Sequence, residues 1–226
     1  MNREVVDRWC ERGILALVLA ILVYGPLGFG AVRGLEFGII TGLSAAVMVL
    51  WVARLWINPR PQLLWPPICW AVLAFVGYAI ARYFTADIEY VAREEVLRVI
   101  VYALLFLAVL NNLHRQESTQ VISFTLIYLA TAICFYAIYQ FVADSDRVWN
   151  SIKPYPHRGS GTYICPNHLA GFLEILLPLA LAYTVTGRLK AVTRVLLGYT
   201  VLVLLAGLTV TVSRGSWAAA AVAVAA

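Results

Sequence analysis

Long apolar runs separated by short polar ones make up nearly the whole chain. A helix needs about 20 largely apolar residues to cross a bilayer. Seven runs approach that length: residues 13–32, 37–53, 65–81, 96–113, 121–143, 167–186 and 195–212. An eighth, residues 216–226, is about half a span by the same rule and reads as a helix truncated at the C-terminus. The runs are continuous, without the alternation of lipid-facing and lumen-facing residues that marks barrel strands. Backbone polar groups in hydrocarbon must be paired within their own segment, so continuous apolar runs predict helices. The expected fold is all-α, a polytopic transmembrane helical bundle of seven complete spans plus a truncated eighth. Its expected divisions are an N-terminal arm (1–12), the first five helices (13–143), an outer loop with a motif (144–166), and the remaining helices (167–226).

Composition agrees with the pattern. Hydrophobic residues form 62% and charged residues 13% of the 226, against about 45–50% and about 25% in soluble domains. So apolar a chain has too little polar surface to face water, and its expected solvent is lipid. A net charge of +5 would suggest nucleic acid in a soluble protein. Here the short loops between spans account for it, and no nucleic-acid partner is expected. Cys10, Cys69, Cys134 and Cys165 have neither metal-ligand nor CxxC spacing, and the two inside spans read as small packing residues.

Orientation is less legible. Alternating spans put nine basic residues on one side, Arg60 and Arg188 among them, and eight on the other, which does not decide the positive-inside rule. The linker 187–194, with three basic residues and no acid, is the best local cytoplasmic signal and places the N-terminus inside. Trp51, Trp56 and Trp65 bracket the loop 54–64, as indoles do at headgroup level. Residues 82–95 and 144–160 read as long outer loops, the first able to lie as an interfacial helix.

The candidate chemistry lies in His157-Arg-Gly-Ser-Gly-Thr-Tyr-Ile-Cys-Pro-Asn-His-Leu-Ala-Gly-Phe-Leu-Glu174. Gly159 and Gly161 allow unusual backbone angles and close approach to a ligand. Pro166 suits the first position of a helix, whose free amides near Arg158 would favour a phosphate. Within that helix Asn167, Gly171, Glu174 and Pro178 fall at about 0°, 40°, 340° and 20° around the axis. A polar stripe in a membrane helix is expected to face protein or a water-filled cavity. Glu174 then reads either as the floor of a substrate site or as an interhelical hydrogen-bonding acid. His168, about 100° from the stripe, and His157 read as hydrogen-bonded loop or cap histidines or as acid–base groups. Arg214, in Thr211-Val-Ser-Arg-Gly-Ser-Trp217, is either a fixed cation for a phosphate or a snorkelling arginine at the lipid headgroups.

Taken together, Gly161-Thr-Tyr-Ile-Cys-Pro-Asn-His-Leu-Ala-Gly-Phe-Leu-Glu-Ile-Leu-Leu-Pro178 and Thr211-Val-Ser-Arg-Gly-Ser-Trp217 resemble the O-antigen ligase and O-antigen polymerase superfamily. The likeness is clearest from Arg158 onward, while the first five spans match in hydropathy alone. It implies a bacterial inner-membrane glycosyltransferase of about a dozen helices, acting in cell-envelope polysaccharide and lipopolysaccharide biosynthesis. Such enzymes move a glycan from an undecaprenyl-diphosphate carrier to lipid A-core or another glycan acceptor on the periplasmic side, without a metal or other cofactor. By motif match Arg214, and by position Arg158, would offset charge on the departing diphosphate. Asn167, His168 and Glu174 would line the substrate. The family also uses a large periplasmic loop with a further arginine and a histidine in its second half, which this sequence does not reach. Rival expectations are a transporter with a midplane site around Glu174 and a non-catalytic assembly subunit.

Overall fold

The computed structural model describes residues 3–58, 63–186 and 189–225. Arg60 and Arg188, assigned above to inner loops, lie outside them. Eight helices are present among the described residues: α1 (Arg3–Leu27), α2 (Gly34–Ile57), α3 (Ile68–Phe84), α4 (Glu89–Asn112), α5 (Gln116–Val142), α6 (Pro166–Thr186), α7 (Ala191–Val210) and α8 (Arg214–Ala225). Five of them, α1, α2, α5, α6 and α7, are long and apolar enough to cross a membrane. Helix α3 is apolar but has only 17 residues. Pro66 and Pro67 precede it and leave the amides of Cys69 and Trp70 to bond their carbonyls. Helix α4 opens on charged turns, with Glu89, Arg93, Glu94, Glu95 and Arg98 in its first half.

Helix ends depart from the apolar runs in both directions. Helix α1 starts ten residues before the run at Gly13, because a helical backbone satisfies its own amides in the headgroup layer as well as in hydrocarbon. It stops before the run does: Phe29, Gly30 and Ala31 all have positive φ, so residues 28–32 form an irregular left-handed segment. The expected long loop 82–95 is a short turn after Phe84, since α4 already begins at Glu89.

Two compact units make up the chain: Met1–Ile21 with Gly38–Thr119, and Leu22–Phe37 with Gln120–Ala226. In the first, Ile14 and Val18 of α1, Ile40 and Val47 of α2, Cys69 of α3, and Val101 and Ala108 of α4 are buried. Arg54, near the end of α2, grips Asp7 of α1 through two nitrogens at 2.8 and 2.9 Å. The same guanidinium lies 3.4 Å from Glu11 and donates to Asn112 Oδ1 of α4 at 2.9 Å. Arg54 read as a loop cation in the sequence; here one planar fork ties three helices together.

In the second unit α6 packs against α7 and α8. Its buried residues Leu169, Ala170, Leu173, Leu176, Leu177 and Ala180 recur at helical spacing and meet Ile133, Cys134 and Ala137 of α5 and Leu204 and Leu208 of α7. Gly207 of α7 lies so close to Cys134 that a Cβ there would overlap its sulfur. Small residues at helix crossings serve this close approach in membranes, where packing rather than water drives association.

Candidate functional site

The loop between α5 and α6 is built as a cap on its own unit. Its first part is a small hairpin, β1 (Arg147–Val148) against β2 (Ser151–Ile152), antiparallel with Val148 opposite Ser151. Trp149, in its turn, has φ of 50°, stacks obliquely on Tyr136 with ring centroids 5.7 Å apart, and donates from its indole to Leu27 O at 3.1 Å. Arg33 donates to Ser151 Oγ at 2.9 Å, and Thr162 Oγ1 to Pro26 O at 2.6 Å. Phe29 and Tyr163 form a parallel bridge. The loop therefore answers carbonyls in the last turn of α1 and bridges the left-handed segment at Phe29.

Gln140 of α5 holds the loop from below and is 1% exposed. Its Nε2 donates to Arg147 O and Gly161 O, each at 2.9 Å. Its Oε1 accepts from Ser160 N at 3.0 Å and Gly161 N at 2.8 Å. Both hydrogens and both lone pairs of the amide are thus used. Gly161 has φ of 57°, and a Cβ on it would stand 2.5 Å from Ile133 Cγ2. A Cβ on Gly159 would stand 2.5 Å from Ala137 O. The close approach that these glycines permit is to α5, not to a ligand as the sequence reading supposed.

Above this floor the two marked stretches meet. Arg158 donates from Nε to Thr211 O at 2.7 Å and from a terminal nitrogen to Asn167 Oδ1 at 2.7 Å. Gly159 N donates to Val210 O at 2.8 Å. Lys153, almost fully buried, donates its ammonium to Arg158 O. Burial lowers the Lys153 pKa from the ordinary lysine value, opposed in part by Asp146 and Asp144. Helix α6 begins at Pro166, as the missing N–H of proline allows. Helix α8 begins at Arg214, preceded by Ser213, whose hydroxyl bonds that of Ser216 at 3.1 Å. Trp217 donates from its indole to Leu208 O at 3.0 Å and fixes α8 to α7. Neither α6 nor α8 has an acid in its first turn. Two helix N-termini, Lys153, Arg158 and Arg214 thus belong to one corner, an arrangement suited to anions.

Among the five residues singled out from the sequence, Arg158 and Asn167 are brought together, and Arg214 follows three residues after the carbonyl that Arg158 holds. The Arg214 side chain is exposed, with no hydrogen bond or ion pair among the described residues. His168 is exposed and its ring has no bond among the described residues. Glu174 is half-buried and makes no interhelical bond among them. Of the Asn167, Gly171, Glu174, Pro178 stripe, only Asn167 has a side-chain hydrogen bond within this unit among the described residues, to Arg158. The leucine stripe of α6 occupies the contact side, and the polar stripe is left half open. His157 is a bonded loop histidine, with Nδ1 2.7 Å from Asp144 Oδ1. Gln140 and Lys153 were missed; the available signal for Gln140 was an amide side chain near the end of an apolar run, where it must find partners.

The turn between α7 and α8 carries a cost. Val212 has φ of 52°, a left-handed conformation that β-branched residues avoid, and its side chain is 44% exposed. Val212→Gly removes about 1–2 kcal/mol of strain and gives back about 0.5–1 kcal/mol in chain entropy. The expected result is a slightly higher thermal midpoint in detergent. A lower midpoint would mean that the valine side chain contributes more than its backbone costs.

No protein-family model, curated protein or solved structure matches the chain. The corner's geometry and the motif likeness are therefore what bear on function.

Proposed function

We propose that the chain belongs to a bacterial inner-membrane glycan ligase or polymerase of the O-antigen type. In this reading a glycan passes from an undecaprenyl-diphosphate carrier to lipid A-core or another glycan acceptor. Arg158, which is held by Asn167 and joins the His157–Glu174 stretch to the Thr211–Trp217 stretch through the Thr211 carbonyl, is the observation that carries the reading. The motifs that suggest the family are thereby parts of one corner rather than two separate resemblances. Arg214 and Arg158 offset the charge that develops on the leaving diphosphate, where fixed donors act most strongly. Asn167 orients Arg158, while His168 and Glu174 on the open side of α6 face the glycan. No metal enters this scheme, and α3 and α4 complete the set of seven spans.

The reading places the corner on the periplasmic face and the N-terminus in the cytoplasm. Helix α6 leads away from the corner and α7 returns to it, so Lys190 and, in the first turn of α7, Arg194 lie at the opposite end of this unit. Basic residues favour the cytoplasmic side.

The test is Arg214→Ala in the intact protein expressed from its gene. Loss of one such charge-stabilising donor is expected to cut glycan transfer by about 100- to 1000-fold, with unchanged protein in the membrane fraction by immunoblot. Undiminished transfer removes Arg214 from the mechanism.

A further inference from the structure

The first three turns of α1 carry a second basic site, in the other unit of the chain. Val5, Arg8, Trp9 and Arg12 follow the i, i+3, i+4, i+7 spacing and share an arc of about 100° on the helix. Together they line an open cleft of about 210 Å³, with no acid among its described lining residues. Trp9 is 68% exposed and Val5 36%. Arg8 uses only Nε, which reaches Glu4 O at 3.4 Å. Its terminal nitrogens and the Arg12 guanidinium have no bond among the described residues. Two of the nearby acids are engaged by other arginines, Asp7 by Arg54 and Glu11 by Arg54 and Arg115, while Glu4, one turn before Arg8, flanks one edge of the face. Below Arg12 the same face continues as exposed Ala16 and Ala20, with Leu19 beside them.

We propose that this face binds an anionic phospholipid, with Arg8 and Arg12 on the headgroup phosphate and Trp9 at the glycerol level. An acyl chain then runs down Ala16, Leu19 and Ala20. Charge complementarity selects the headgroup: two guanidinium forks whose terminal nitrogens are free of bonds among the described residues match phosphate oxygens. Position selects a lipid over a free anion, because α1 passes from this cleft directly into a run long and apolar enough to span. Tryptophan at that level is a common interfacial anchor. The site does not depend on glycan transfer.

The test is native mass spectrometry of the full chain, released from micelles containing equal phosphatidylglycerol and phosphatidylcholine. Wild-type protein is expected to retain phosphatidylglycerol over phosphatidylcholine. Two arginines at an anionic surface correspond to a preference of about thirtyfold. Arg8→Gln/Arg12→Gln should bring it close to one, and Arg8→Lys/Arg12→Lys should keep most of it. Equal retention of the two lipids by wild type would overturn the proposal, as would a preference unchanged in the glutamine pair. Displacement of the lipid by millimolar inorganic phosphate would overturn the lipid assignment. If the glutamine pair does not insert, the same ratio measured on wild type in low and high salt decides, since a headgroup site loses its preference as salt rises.

Discussion

Gln140→Leu is expected to release the α5–α6 loop and lower the unfolding midpoint more than any other single change in the second unit. Leucine fills a similar volume, so the loss is one of bonding rather than of space. Ser160 N and Gly161 N lose their acceptor, and Gly161 O and Arg147 O lose a donor. A buried polar group left without a partner costs about 1–3 kcal/mol. The carbonyl of Arg147, an exposed residue, also accepts from Tyr136 at 3.4 Å, whereas Ser160 is fully buried. A net loss of about 3–5 kcal/mol follows for the buried groups. Trp149, in the same loop and stacked on Tyr136 of α5, supplies the readout: the fluorescence difference between each protein and its Trp149→Phe counterpart should change at lower temperature than the helical circular dichroism. Gln140→Glu keeps the oxygen that accepts from Ser160 N and Gly161 N and, as the neutral acid, has one hydrogen for the two carbonyls, so at low pH it should fall between the two proteins. A leucine variant that melts with wild type would show that the ties of the loop to residues 26–33 and to Val210 and Thr211 suffice to hold it.

In the first unit the largest effect is expected from Arg54→Met. The side chain is 17% exposed and Glu11 14%, so removing the cation leaves two carboxylates poorly solvated beside a buried Asn112. Breaking a buried charged pair from one side costs about 3–5 kcal/mol; Asp7, at 32% exposure, keeps some water, so about 2–4 kcal/mol is the expectation. Arg54→Lys should not restore the loss, because an ammonium cannot present two parallel donors to Asp7 and a third to Asn112. Adding Asp7→Asn to Arg54→Met should recover part of it, and the double-mutant cycle gives the coupling. Additive losses in that cycle would mean that the 2.8 Å contact has no energetic weight.

Hydropathy made the helices legible, because lipid imposes one rule on every residue it touches. It made their ends illegible for the same reason. Arg3 to Arg12 are helical without being apolar, and Gly28 to Val32 lie in an apolar run without being helical. Local chemistry was readable where it was truly local, as in the start of α6 at Pro166 and the short polar break that separates α7 from α8. What could not be read were partners far apart in sequence: Arg158 with Thr211, Gln140 with Gly161, Arg54 with Asp7 and Asn112. In each case a polar group inside or beside an apolar run announced that it needed a partner. Only the fold supplied which one. The same limit applies to Gly159 and Gly161, whose need for space was evident while the occupant of that space, α5, was not.

The bond from Thr162 to Pro26 joins residues 136 positions apart. A ribosome adding about 5–20 residues per second needs roughly 7–27 s to cover that distance. Throughout that interval the last turn of α1 has been made, while the loop that answers its Pro26 and Leu27 carbonyls has not. The nascent chain must hold the end of α1 in a provisional state, and this cap can close only after α5 has been made.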